Sequence, residues 1–268
     1  MTTEITPVVS QPLVFVEPAK DAPTKGMSGH VTMSRALTES AHGLTINEAR
    51  LIMLALRTVN PRASHKRNAK DGGNVRVRVT AAEFAEVADL KPDEHGYTNR
   101  AAYEGLKNAC NNIYERSATW REGSKKIKMR WVWKATYHDY EAWAELEFAP
   151  DMTPHLFELG ERFVRYRIEM ARGLRSIYST NLLRLLMTQR DTGYKTITLE
   201  DYRSIMEVPE TYRYADIKRY AIVAPVKELN EKADLIIEWK ETKRGRAVYS
   251  LQFTFKQTEP DPQQTLDL

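Results

Sequence analysis

The chain carries one local signature twice, in Val79-Thr80-Ala81-Ala82-Glu83-Phe84 and in Ile197-Thr198-Leu199-Glu200-Asp201-Tyr202. Each copy closes an apolar, strand-like stretch with a threonine that is followed three positions later by an acid. That spacing lets the hydroxyl accept from the backbone at a helix start, so each signature marks a strand running directly into a capped helix. Two helix starts could share this chemistry by coincidence. The elements around them recur in the same order, however, and that recurrence points to two copies of one architecture.

In the first copy Thr45 and Glu48 form a capping box, and Ile46, Ala49, Ile52, Met53 and Leu56 follow at helical spacing. Val75, Val77 and Val79 alternate with Arg76 and Arg78, as in a half-buried strand. A short helix from Thr80 to Leu90, a turn with Pro92 and Gly96, and a helix from Thr98 to Arg116 come next. Ala102, Leu106, Ala109, Cys110 and Ile113 share one face of the longer helix. Strands are expected at 117–121 and 127–136, around Glu122-Gly123-Ser124, and at 143–148.

The second copy has a helix over 175–191, a brief strand at Thr196-Ile197, and a helix from Thr198 to Met206. Val208-Pro209-Glu210 is its turn, a longer helix runs from Arg213 to Ala233, and strands span 235–240 and 247–255. Pro225 has no N–H to donate, so a kink or a fresh helix start is expected there. Helix, strand, helix, turn, helix, hairpin is the order of a winged helix. The expected fold class is α+β, with two winged-helix domains in tandem.

Residues 1–43 hold Pro7, Pro12, Pro18 and Pro23 without periodicity and read as a mostly disordered arm. Residues 44–150 form the expected first domain, for DNA binding and dimerisation, residues 151–256 the second, for DNA binding, and 257–268 a flexible tail. A chain of 268 residues, 42% hydrophobic and 28% charged, suffices for two ordinary globular domains. No apolar run approaches the ~20 residues of a membrane helix. No charged start followed by an apolar stretch marks export, so a cytoplasmic protein is expected. Cys110 is the only cysteine, which excludes an internal disulfide and a cysteine-based zinc site.

The net charge of +4 matters less than its placement. Arg116, Arg121, Lys125, Lys126, Lys128, Arg130 and Lys134 face one acid, Glu122, and Lys240, Lys243, Arg244 and Arg246 crowd around Glu241. A helix entering the major groove needs donors near its start. Asn99, Arg100 and Lys107 offer them on the first long helix, and Arg213, Asp216, Lys218 and Arg219 on the second. Charged surface helices are common, but in each copy a basic hairpin turn lies just downstream, where a wing meets phosphate: Lys125, Lys126 and Lys128, then Lys243, Arg244 and Arg246. Trp120, Trp131, Trp133 and Trp143 fall on strands and suit a core or a dimer contact better than stacking on bases.

Enzyme signatures are missing. There is no phosphate-cradling G-x-x-x-x-G-K-[ST] and no G-x-G-x-x-G. His30, His42, His65, His95, His138 and His155 are scattered, without the close pair that holds a metal beside a nicking tyrosine. No catalytic residue, metal or cofactor is expected.

In the second copy Ser176-Ile177-Tyr178-Ser179 leads into Leu182-Leu183-Arg184-Leu185-Leu186, followed by Ile197-x-Leu199-x-x-Tyr202-Arg203 and Val208-Pro209-Glu210-x-Tyr212. Asp216-Ile217-Lys218-Arg219 then leads to Pro225-Val226-Lys227-Glu228-Leu229-Asn230. These motifs resemble the initiator Rep proteins of iteron-containing plasmids, the family that includes the F plasmid initiator. The resemblance covers Leu44 to Phe255 and is most specific from Ser176 onward. It implies two winged helices on double-stranded DNA, monomers on direct repeats at an origin, and dimers on an inverted repeat that represses the protein's own gene. It also implies recruitment of a host replication initiator and helicase. The family's major-groove reader has an aromatic residue followed by consecutive basic ones. Here Ile217 replaces the aromatic and Tyr220 the third basic residue, so phosphate anchoring is retained while the base preference is open.

The alternative is a tandem winged-helix transcriptional regulator with no part in replication, which the same fold would serve. Gln263-Gln264-Thr265-Leu266-Asp267-Leu268 is similar to peptides that dock on the bacterial sliding clamp, with Gln263, Leu266 and Leu268 at the matching positions. A polar terminus that happens to end in leucine is the blander explanation.

Overall fold

The computed structural model describes residues 29–57, 75–156 and 163–258. The first domain opens with β1 (His30–Ser34), α1 (Arg35–Thr38) and α2 (Ile46–Arg57). It continues with β2 (Arg76–Thr80), α3 (Ala81–Val87), α4 (Arg100–Ile113), β3 (Ser117–Glu122), β4 (Lys125–Arg130), β5 (Val132–His138) and β6 (Trp143–Phe148). After α5 (Thr153–Leu156) and β7 (Phe163–Arg167) come α6 (Ile177–Met187), β8 (Tyr194–Thr198) and α7 (Leu199–Ile205). The chain then runs through α8 (Tyr214–Asp216), a π-helical segment (Ile217–Val223), α9 (Ala224–Lys232), β9 (Leu235–Arg244) and β10 (Ala247–Gln257).

The repeat is real at the level of topology. One three-stranded sheet has the order β2-β6-β5 and the other β8-β10-β9, so in both the first strand pairs with the last. The expected caps form: Thr80 and Glu83 close a full capping box, and the Thr198 hydroxyl accepts from Asp201 N. Both capped helices end alike, with Asp89 and Glu207 held at φ 55° and 54°. The angle between α3 and α4 depends on Gly105. A Cβ there would stand 2.8 Å from the ring of Phe84, which is fully buried and cannot yield cheaply.

Three expectations are corrected. Residues 30–43 are not a disordered arm: β1 pairs antiparallel with β7, Val31 opposite Tyr166, and Val31, Met33 and Leu37 are buried. The first domain therefore extends at both ends, because α5 and β7, expected beyond the boundary at 150/151, pack against β1. The strand expected at 127–136 is two strands, β4 and β5, separated by Trp131, which is wholly buried. Trp120 and Trp143 are buried too, and of the four strand tryptophans Trp133 alone is largely exposed, at 48%. The Gln263, Leu266 and Leu268 motif lies outside the described residues, as do residues 1–28.

The domains meet through buried polar chemistry. Arg184 of α6 is 3% exposed, and its guanidinium donates to the His42 ring and, at 3.1 Å, to the Ser40 carbonyl. His42 Nε2 lies 2.8 Å from the Leu37 carbonyl, which can only accept. Nε2 therefore carries the hydrogen, and Nδ1 is left to accept from Arg184. Trp131 closes the other side, with its indole donating to the His42 carbonyl at 3.3 Å and its ring edge-on to His42. Glu207 accepts from the backbone N–H groups of His42 and Gly43, each at 2.9 Å. On a second front the linker carbonyls of Gly173 and Leu174 accept from Lys232 and Arg50, at 2.6 and 2.8 Å. Glu228 accepts from Arg175 N and from the Ser179 hydroxyl.

Burial, reinforced by the Arg184 charge, holds the His42 pKa well below the usual histidine range. Folded His42 stays neutral while the unfolded chain takes up a proton near pH ~6.5. Stability contributed by this group is therefore fully present above that pH and is lost as pH falls toward the depressed folded value. Urea unfolding at pH 7.5 and 5.5 should show a loss of up to ~1.4 kcal/mol per pH unit from this site. His42→Gln, which keeps a donor and an acceptor but cannot titrate, should flatten that part of the profile.

Candidate nucleic-acid interface

In the second domain one carboxylate ties the long helix to the wing. Glu241, on β9 just before the β9–β10 turn, accepts from the Tyr214 hydroxyl at 2.5 Å and pairs with Lys218 at 3.4 Å and Lys243 at 3.5 Å. The Tyr214 hydrogen bond, then Lys218 and Lys243, keep Glu241 below the usual carboxylate pKa. Burial and Glu241 push the Tyr214 hydroxyl up. Lys218 also lies 5.3 Å from the Trp239 ring centroid. The turn places Gly245 at φ 62°, a conformation glycine adopts without strain. Around it Lys243, Arg244 and Arg246 are exposed, and Arg244 stacks over Tyr249 at 3.5 Å. Lys218 of the helix and Lys243 of the wing are thus joined on one carboxylate, with Arg219 and Arg244 exposed next to them in the chain.

The helix itself is shaped by Pro225. An α-helical Pro225 would leave the Ala221 carbonyl without its N–H partner and would crowd it. The chain answers by widening: Ile217–Val223 is π-helical, Ala224 N reaches back to Arg219 O, and α9 restarts with Pro225 in its first turn. The expected fresh start is thus found, one residue earlier and preceded by a wide turn. The stranded Ala221 carbonyl accepts at 2.5 Å from the hydroxyl of Tyr202, a wholly buried residue of α7. Asp216, read from the sequence as a DNA contact, accepts from Arg213 N at 3.0 Å and serves the helix start. Arg213 is exposed beside it.

The first domain is arranged differently. Asn99 caps α4, its side chain accepting from Ala101 N at 2.9 Å and donating to the Lys91 carbonyl at 3.2 Å. Arg100 is exposed at the helix start. Lys107 pairs with Asp139 at 2.5 Å, and that hydrogen bond raises its pKa. Asp139, Tyr140 and Glu141 form the turn between β5 and β6, which by sheet order is the wing of this domain. Lys125, Lys126 and Lys128 are therefore not on the wing. They sit on β4 of a separate two-stranded sheet with β3, exposed, on a hairpin inserted between α4 and β5. That hairpin packs toward α1 and α5, with Ala41 bridging Thr119 and Trp120 edge-on to His155.

Sequence reasoning missed Glu241 and Tyr214 as the helix–wing tie and read Glu241 only as an opposing acid. It also missed the base of the first wing, where Arg78 lies over the Trp143 ring at 3.9 Å and His138 stacks on that ring at 3.5 Å. The available signal was cross-strand charge. Arg76 and Arg78 need acids opposite them, and Glu147 and Glu145 supply these on β6, with Arg76 within 2.8 and 3.4 Å of them. Among the described residues no helix is long and apolar enough to span a membrane.

These features define two winged helices in tandem, the second with a basic helix–wing unit. Residues 30–187 match the family model described as Initiator Replication protein, WH1, a match that takes in α6 although this helix packs chiefly on α9 of the second winged helix, and residues 198–255 match the one described as Initiator Rep protein, WH2. The chain belongs to the initiator Rep protein family. It is 24% identical over 229 residues to an uncharacterized 27.6 kDa protein of Escherichia coli, covering 82% of this chain and 93% of that one. The crystal structure of the Pi initiator protein in complex with iteron DNA superposes with a TM-score of 0.70 at 16% identity, over 88% of this chain and 100% of that one.

Tyr202→Phe should destabilise the protein by about 1–3 kcal/mol in urea unfolding, because the Ala221 carbonyl stays buried without a partner. Adding Pro225→Ala returns an N–H to that carbonyl, so the double variant should be more stable than the sum of the two single changes allows.

Proposed function

We propose that this chain initiates replication of a plasmid by binding direct repeats, iterons, in double-stranded origin DNA as a monomer, and that as a dimer it represses its own gene. The observation that carries the reading is the helix–wing unit of the second domain, in which Glu241 holds Lys218 and Lys243 on one carboxylate beside exposed Arg219 and Arg244. Family membership and the fold shared with a protein solved on iteron DNA support it. In this reading the second domain reads bases with Arg219 and anchors phosphates with Arg213, Lys218 and the wing. The first domain contributes Arg100, and the Lys125, Lys126 and Lys128 hairpin adds phosphate contacts away from the wing. The protein binds rather than cleaves, and host initiator, helicase and sliding clamp are its further partners.

For the dimer, the outer edge of β5 is unpaired among the described residues and carries the exposed Trp133. An open edge with a large apolar side chain suits pairing with a second copy.

Binding to the origin duplex should be strongly salt-dependent, each neutralised phosphate adding ~0.9 to the slope of log K against log salt. Arg219→Ala should lose ~1–3 kcal/mol, concentrated at one or two base positions. Lys243→Ala should weaken all sequences alike and lower the slope by ~1. A flat titration, or Arg219→Ala and Lys243→Ala behaving identically across sequences, would contradict the assignment.

A further inference from the structure

The long helix of the second domain exposes more than cations. Its inner face is closed by Ile217, Ala221, Ile222, Val226 and Leu229, all buried. Its outer face carries Ala215, Lys218, Arg219, Tyr220, Val223 and Lys227. Lys218 leans toward the wing through Glu241 and Trp239. Tyr220 leans toward the preceding turn, 5.9 Å from the Tyr212 ring, with Arg219 over it at 5.1 Å. Val223 is 46% exposed on this same face. A π turn returns to one face after about four to five residues, so Val223 stands one turn beyond Lys218 and Arg219.

Scattered apolar side chains on a protein surface need no explanation. Val223 is different because of its company. A β-branched residue is an indifferent helix former, and a solvated position on a face shared with Lys218, Arg219 and Lys227 would be served better by a polar one. The basic rim of Arg213, Lys218, Arg219, Lys227, Lys243 and Arg244 suits a polyanion, and on the DNA-binding reading that polyanion is a duplex with grooves. In the major groove, a thymine presents one apolar group, its 5-methyl, and aliphatic side chains read it by contact.

We propose that Val223 is a base-reading residue whose isopropyl group packs on the 5-methyl of a thymine next to the base pair read by Arg219. The assignment rests on the DNA-binding reading above and adds a base class to it. Lys218 and Arg219 supply attraction and hydrogen bonds; Val223 supplies discrimination between thymine and the other bases at one position. The π-helical widening imposed by Pro225 sets where on the helix face that methyl contact falls.

The test uses the full chain and a duplex that it enriches from a random-sequence pool. Each thymine of that duplex is replaced in turn by deoxyuridine, which removes only the 5-methyl, and affinities are measured for the wild type and Val223→Ala. At one thymine the wild type should lose about fourfold, the equivalent of ~0.8 kcal/mol for one buried methyl group. Val223→Ala should bind the unmodified duplex correspondingly more weakly and be indifferent to deoxyuridine at that position. A wild type indifferent at every thymine would overturn the proposal, as would a Val223→Ala variant with the same deoxyuridine penalties. Failure to enrich any duplex would overturn the DNA-binding reading itself, and the proposal with it.

Discussion

A guanidinium in a protein interior is tolerated only where its donors are met, and Arg184 is met almost entirely by residues 40–42 of the other domain. Burial lowers its pKa to about 10, so it stays charged at neutral pH. Its Nε finds no partner, so the site is not tuned for maximal stability. Buried ions add little net stability, yet they penalise heavily any arrangement that strands them. Their effect here is selection: one placement of the second winged helix against the first satisfies Arg184, His42 and the Glu207 carboxylate together. The linker contacts of Arg50, Lys232 and Glu228 form a second set that fixes the same placement.

Within the second domain the same logic runs through Pro225. Its missing N–H leaves the Ala221 carbonyl without an α-helical donor, the helix widens around it, and Tyr202 donates to that carbonyl from the neighbouring helix. The face presented by the long helix is therefore set from behind by the capped helix that opens with Thr198. The two parts of the helix-turn-helix are joined by chemistry as well as by packing. The first domain has its own helix–wing ion pair, Lys107 with Asp139, but its wing carries acids where the second wing carries Lys243, Arg244 and Arg246. On this account the two winged helices are copies in topology but not in task.

Much of this was legible in the sequence because it is local. Caps at Thr45, Thr80 and Thr198, valines alternating with arginines in β2, and the proline in the long helix all act within a few residues, and each produced the element expected of it. The failures were long-range. Nothing local shows that His30–Ser34 will find Phe163–Arg167, and the prolines upstream of it look like those of a disordered arm. In sequence order the basic hairpin occupies the place of a wing, directly after the long helix. Only the pairing of Arg76 and Arg78 with Glu147 and Glu145 reveals that the sheet closes with β6 and that Lys125, Lys126 and Lys128 stand apart from it.

The claim on which all this depends is that the two winged helices act as one body. Pulsed electron–electron resonance between nitroxides at Tyr97 in the first domain and Lys240 in the second measures it directly. Both sites are exposed, and Cys110 is buried with its thiol pushed up to about 11, so it resists labelling. The wild type should give one narrow distance distribution, and Arg184→Ala, which removes the buried guanidinium, should broaden or shift it. A broad or multiple distribution in the wild type, or an Arg184→Ala variant with the same narrow peak, would contradict the account.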